Sequence, residues 1–181
     1  MSELKESVIA GIIKIEGGFI DDPDDSGGAT NYGITEEVAR NNGYTGDMRD
    51  LPMQLVTDIY SGRYWDVLSL DDIEKLSVKI TEELADTGVN MGVERAGTFL
   101  QRSLNVLNKD EKFYDDLKVD GQVGRMTIQA LADYLAHRGN QGEVVLYRML
   151  NALQGAFYVL LCERRVKDEK HIFGWFSNRV A

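Results

Sequence analysis

Residues 8–35 read VIAGIIKIEGGFIDDPDDSGGATNYGIT, and the two ends of this stretch follow different periods. Val8, Ile12 and Ile15, with Leu4 before them, recur at helical spacing, and Ile9 and Ile13 widen the stripe. Ser2 is placed to cap this helix and the Gly17-Gly18 pair to end it. Helix is improbable over Phe19 to Thr35, which is rich in Gly, Asp and Thr. Near its end Thr30, Tyr32 and Ile34 alternate with Ala29, Asn31 and Gly33, behind the Gly27-Gly28 pair. That pattern predicts a small β-hairpin with Tyr32 on the strand face of Thr30.

Working outward, the rest of the chain carries helical patterns. Thr35 with Glu36 and Glu37 starts one, and Pro52 suits the first position of another that runs to about Tyr64. Further helices are expected over Ser77 to Met91, around Phe99, Leu100, Leu104 and Leu107, over Val123 to His137, over Glu143 to Val166, and over Phe173 to Val180. Charge and turn residues gather between Asn108 and Gly121, the clearest joint. The expectation is a mainly α protein with one small β-hairpin after its first helix.

Bulk properties narrow the function. The 181 residues are 43% hydrophobic and 28% charged, enough apolar material for a core. A single cysteine rules out a disulfide within the chain. Cys162 sits in the apolar run 156–162 and reads as a buried structural thiol. A net charge of −10 argues against nucleic acid as partner, because phosphates are repelled and no Lys/Arg cluster offsets this. No stretch approaches the roughly 20 apolar residues of a membrane span. The first 15 residues lack the pattern of a signal peptide or anchor, so the expected location on synthesis is cytoplasmic.

Glu16 is the first candidate for chemistry. It ends an amphipathic helix, where the macrodipole presents about half a negative charge and favours a neutral acid over a carboxylate. Asp21, Asp22, Asp24 and Asp25 follow closely and act in the same sense. A protonated glutamic acid is what general acid catalysis requires. The competing reading is an exposed helix-terminal Glu beside a solvated acidic loop. Residues 22–27 also place oxygen ligands at calcium-loop positions one, three and five, but Gly33 stands where the closing acid belongs. His137 and His171 lack the partners of a zinc site, and no P-loop or dinucleotide fingerprint occurs, so no metal and no cofactor is expected. Trp65 and Trp175 are the aromatic candidates for sugar stacking, with a core role the commoner alternative.

Several blocks together resemble a known family. Glu16-Gly17-Gly18-Phe19, Asp22-Pro23 and Gly27-Gly28-Ala29-Thr30-Asn31-Tyr32-Gly33-Ile34-Thr35 are similar to the amino-terminal signature of glycoside hydrolase family 108. These are phage and prophage endolysins with N-acetylmuramidase activity, some called secretion activators. Ile59-Tyr60-Ser61-Gly62-Arg63-Tyr64-Trp65, Asp86-Thr87-Gly88-Val89-Asn90-Met91-Gly92, Phe99-Leu100-Gln101-Arg102 and residues 174–180 continue the likeness in order. Residues 119–124 with Thr127 resemble the peptidoglycan-binding segment that completes such chains. Phe19 and Ser26 depart from the pattern, standing where tyrosine and proline are usual.

The resemblance implies a lysozyme-like helical fold, with residues 1–92 catalytic and residues 93–181 a helical peptidoglycan-binding region packed in the same compact unit. It implies hydrolysis of the β-1,4 bond between N-acetylmuramic acid and N-acetylglucosamine, with Glu16 as acid. Phage lysozymes place an acid, an Asp and a Thr in order along helix and hairpin. Glu16, Asp25 and Thr30 follow that order here, with Asp22 competing for the second place. Tyr32, Asp86 and Asn90 are candidates for binding the sugar. The implied partners are peptidoglycan glycan strands and a holin-like permeabilising partner that admits the enzyme to the periplasmic wall. Two alternatives stay open: a lytic transglycosylase on the same bond, and a non-catalytic wall-binding or virion structural protein.

Overall fold

The computed structural model describes residues 1–20 and 29–180, and the architecture is mainly α. The chain falls into two compact units, Met1–Asp66 and Val67–Ala181.

In the first unit, α1 (Glu3–Glu16) starts where Ser2 Oγ accepts the Lys5 N–H at 3.2 Å. It stops at Gly17, whose φ of +82° reverses the backbone. Ile9 and Ile12 turn the predicted stripe into the core. Lys5 is buried among them, and its Nζ reaches Asp66 Oδ1 at 2.7 Å and lies 5.9 Å from the centre of the Trp65 ring. The aliphatic stem thus covers the tryptophan while the head group escapes to a carboxylate.

The hairpin follows with β1 (Thr30–Asn31) antiparallel to β2 (Ile34–Thr35), Thr30 facing Thr35 and Asn31 facing Ile34. Ile20 joins it by exchanging two backbone hydrogen bonds with Thr30, at 2.7 and 2.8 Å. Tyr32 corrects one expectation: it stands in the turn, not on the strand face of Thr30. Its φ is +51° and that of Gly33 is +70°, the paired left-handed residues of a tight two-residue hairpin loop. Strict alternation ran one residue too far because the strand is only two residues long. Buried Asn31 then pins the hairpin by donating to the Met48 carbonyl at 2.7 Å.

Thr35 caps α2 (Glu36–Asn41), accepting the Val38 N–H. Pro52 stands as the cap of α3 (Met53–Tyr60). The helix expected to reach Tyr64 widens after Tyr60 into a π-helical turn, Ser61–Trp65. Trp65 is fully buried there, a core residue.

The second unit holds α4 (Leu70–Glu74), α5 (Val78–Met91), α6 (Val93–Leu107), α7 (Arg125–Arg164) and α8 (Glu169–Arg179). Ser77, expected as the first residue of α5, is its cap, and Gly92 at φ +95° separates α5 from α6. The two helices expected over 123–137 and 143–166 are one helical run, broken only at Gly139 with φ +56°. By length and composition α7 would suffice to cross a membrane. The fold uses its apolar face internally, burying Leu131, Tyr134, Leu146, Leu150 and Tyr158 against the unit's other helices. Cys162 is buried, and desolvation pushes its thiol up from the usual range.

One side chain organises the stretch before α7. Gln101, buried on α6, accepts the N–H groups of Asp120 and Gly121 at 3.0 and 2.8 Å. Its amide donates to Asp120 Oδ1 and the Gln122 carbonyl, both at 3.0 Å. Gly121 sits so close to α6 that a Cβ on Gly97 would run into its carbonyl. Replacing Gln101 by Ala strands two N–H groups, each costing about 1–3 kcal/mol when buried. Gln101→Ala is expected to melt roughly 10 °C below the wild type in a calorimetric scan, for a chain of this size.

Candidate active site

Glu16 occupies the last position of α1, where Gly17 and Gly18 let the chain leave without covering it, and it is exposed. The turn of the hairpin comes back to it. A Cβ built on Gly33 would stand 2.6 Å from Glu16 Oε2, 3.0 Å from Glu16 Cβ and 2.7 Å from Tyr60 Oη. Glycine at 33 therefore does two things: it permits the left-handed turn, and it leaves the space that the carboxyl and the phenol share.

Tyr60, at the end of α3 and 2% exposed, donates its hydroxyl to the Tyr32 carbonyl at 2.7 Å. Its ring stacks on Tyr64 at 6.1 Å between centroids and 16° between planes. Burial first, then the Glu16 charge, pushes the Tyr60 phenol up to about 12, so it stays neutral at ordinary pH. Thr30 is half-buried on β1, its backbone paired to both Thr35 and Ile20. Tyr32 is half-buried in the turn and offers its carbonyl to Tyr60. Asp22 and Asp25, the rival second carboxylates, and the 22–27 calcium-like loop lie outside the described residues.

Asp86 and Asn90 belong to the second unit. Asp86 Oδ1 accepts from Asn90 Nδ2 at 2.9 Å and Oδ2 from Gln154 Nε2 at 2.8 Å, so both oxygens are held by neighbours on α5 and α7. Beside them Glu83, 5% exposed, accepts from Asn151 at 2.9 Å. Burial, and next the Asp86 charge, pushes the Glu83 carboxyl up to about 7, against the hydrogen bonds from Asn151 and Thr87. Trp175 is half-buried and stacks on Tyr158 at 4.7 Å and on His171 at 5.7 Å.

Sequence reasoning singled out neither Gly33, Tyr60 nor Glu83. Tyr60 appears there only within a family-like block, and Gly33 only within another, in the strand alternation and at the vacant closing position of the calcium-like loop. Glu83 did leave a signal: with Ile80, Leu84 and Thr87 it falls on the inward stripe of α5, where an acid is out of place.

Comparison with known proteins follows this geometry. The glycosyl hydrolase 108 family matches residues 9–92, and the predicted peptidoglycan domain family matches residues 95–180. Among solved structures, SagA of Brucella abortus is similar over 96% of this chain and 87% of its own, at 24% identity and a TM-score of 0.56. That likeness shows a shared fold, the mainly α, lysozyme-like architecture described above. No curated protein sequence matches the chain.

Two outcomes are expected. Gly33→Ala inserts a methyl between Glu16 and Tyr60, and a misplacement of about 1 Å costs on the order of 100-fold in rate. Gly43→Ala has the same backbone strain, φ +83°, but open space around its Cβ. Wall-lysis assays on the pair should show the large loss at Gly33 alone. The second outcome concerns Glu83. Folded, it keeps its proton to about pH 7, and unfolded only to about 4.5. The folded state thus binds the extra proton between those values, and stability falls as pH rises through that window, by about 3 kcal/mol in all. Glu83→Gln removes this slope. Its melting temperature should exceed the wild type's at pH 8 and the gap should close toward pH 5.

Proposed function

We propose that this chain, whose residues 9–92 match the glycosyl hydrolase 108 family and whose residues 95–180 match the predicted peptidoglycan domain family, is a glycosidase of peptidoglycan that cuts the β-1,4 bond between N-acetylmuramic acid and N-acetylglucosamine. In this reading residues 1–92 perform the cleavage and residues 93–181 hold the wall. The observation that carries it is Glu16, an exposed acid at a helix end, backed by a glycine turn and a neutral phenol. An acid in reach of bulk substrate suits donation to a departing oxygen.

In the proposed reaction Glu16 gives its proton to the glycosidic oxygen as that oxygen leaves the muramic acid anomeric carbon. Water attacks the same carbon from the opposite face and loses a proton to Asp25, while Thr30 orients it. An inverting arrangement of this kind requires about 6.5–9.5 Å between the two carboxyls. Tyr32 is assigned to the sugar; Asp86 and Asn90, the other candidates, belong to the second unit, where Asn90 and Gln154 hold both Asp86 oxygens. The net charge of −10 implies that affinity for the wall rests on hydrogen bonds and shape, with little long-range attraction.

We assign the chain to the endolysins: made in the cytoplasm, idle there, and admitted to the periplasmic wall by a holin-like partner. Expression alone in a Gram-negative host should then leave cells intact until chloroform or a holin is supplied.

Glu16→Gln keeps the shape and cannot donate the proton, a loss of about 10²–10⁴-fold. The variant should fold, pull down with peptidoglycan and fail to clear a zymogram; retained clearing would remove Glu16 from the mechanism. Mass spectrometry of a wild-type digest should find reducing N-acetylmuramic acid ends. Products lighter by one water would mean a transglycosylase and no water-activating role for Asp25.

A further inference from the structure

We propose that the second unit takes the stem peptides of peptidoglycan, not its sugars, in a groove between α6 and α7 whose charged end is Arg95 and Arg102. The proposal deepens the assignment of residues 93–181 to holding the wall and rests on that reading.

Two cavities lie along the face where α6 packs on α7, and Arg102 is a wall of both. The larger, of about 680 Å³, is lined by Arg95, Arg102 and Phe157 among others. The smaller, of about 270 Å³, is apolar and lined by Val106, Met149, Ala152 and Leu153. Apolar walls with a few fixed polar groups are the usual make-up of a ligand site.

The fixed polar groups here are cations without partners. The chain has 30 acids against 20 Lys and Arg, so its arginines have carboxylates in excess to pair with. Among the described residues neither Arg95 nor Arg102 pairs with one. Arg95 is nevertheless held still: its Nη1 donates to the Met91 carbonyl at 2.6 Å, and its guanidinium lies 4.1 Å from the centre of the Phe157 ring. The rest of its planar fork of N–H groups stays open for a carboxylate. Arg102 stands exposed two turns further along the same face of α6, about 10 Å away along the axis. Carboxylates three residues apart on an extended peptide are about 10 Å apart too. Glu94, also on the larger cavity, supplies an acid for an ammonium group. In the smaller cavity the Ser103 hydroxyl is buried with no hydrogen-bond partner, and a peptide N–H or carbonyl laid in the groove would satisfy it.

The chemistry of the wall then selects the peptide. The lactyl carboxyl of muramic acid is taken up in the amide to the stem, so the free carboxylates lie on the stem peptides, beside alanine methyls that suit the apolar end. The sugars are neutral there and offer the arginines no charge.

The test is an NMR titration of the full chain, labelled with nitrogen-15, using the stem tetrapeptide released from sacculi by an amidase. Amide signals of residues 95–106 and 149–157 should shift. Arg102→Gln should weaken binding about tenfold, the scale of one charge-assisted contact. Ala152→Trp, which fills the apolar end from an exposed position, should weaken it as much. The same peptide with its carboxyls converted to amides should bind the wild type at least about tenfold more weakly, and Arg102→Gln should then make no further difference. That arm needs no variant, so it decides the matter even if Arg102→Gln does not fold. Equal binding of the amide form overturns the proposal, as do shifts confined to other residues. If chitotetraose, a neutral glycan, shifts the same signals regardless of Arg102→Gln, the groove is a sugar site and the proposal is wrong. A zymogram of the same wild-type protein reads cleavage separately. Clearing without peptide binding would fault the groove alone; peptide binding without clearing would uphold the groove and fault the assigned reaction.

Discussion

The first unit depends on a missing side chain. Gly33 turns the hairpin through a left-handed conformation that a Cβ would strain, and the space left by that Cβ is where Glu16 and Tyr60 approach. Three separate pieces of chain meet at this point: the end of α1, the tip of the hairpin and the end of α3. Each reaches it for a local reason. Gly17 stops α1 after Glu16, Asn31 ties the hairpin to Met48, and Tyr60 bonds the Tyr32 carbonyl. Because the hydrogen bond from Tyr60 ends on a backbone oxygen, the tip cannot move away from α3 without leaving a buried phenol unsatisfied.

The second unit is held by buried amides and acids in places where aliphatic residues would be expected. Gln101 uses both ends of its amide to hold residues 120–122 against α6. Asn151 and Gln154 of α7 do the same for Glu83 and Asp86 of α5. Such networks specify one register between helices, since a slip of one residue would leave several polar groups buried and unpaired. The long α7 gains most from this. Its apolar face alone would tolerate several alignments, and the amides choose among them.

Much of this was legible beforehand. The stripe of α1, its cap at Ser2 and its stop at Gly17 follow from residues within one turn of each other, and the structure has them there. The same holds for Thr35 starting α2. Boundaries were misread in places, as where the helix expected to reach Tyr64 becomes a π-helical turn after Tyr60. Tyr32 was given to a strand because alternation does not say where a two-residue strand ends. A break was expected near residue 140 and found, but the helix resumes at once on the other side of Gly139.

The sequence by itself determined the elements, their caps and the identity of the acid candidate, because those rest on contacts between near neighbours and on the period of apolar residues. It also placed a glycine at 33. Only the tertiary structure decided what that glycine is for, since Glu16, Gly33 and Tyr60 are far apart along the chain and no local pattern relates them. The same is true of Glu83: its place on an apolar stripe is visible in the sequence, but its unusual protonation comes from burial and from the Asp86 charge, against the hydrogen bond from Asn151, which α7 brings back from 68 residues away. Burial and convergence are properties of the packed chain, and the chemistry of an acid depends on both.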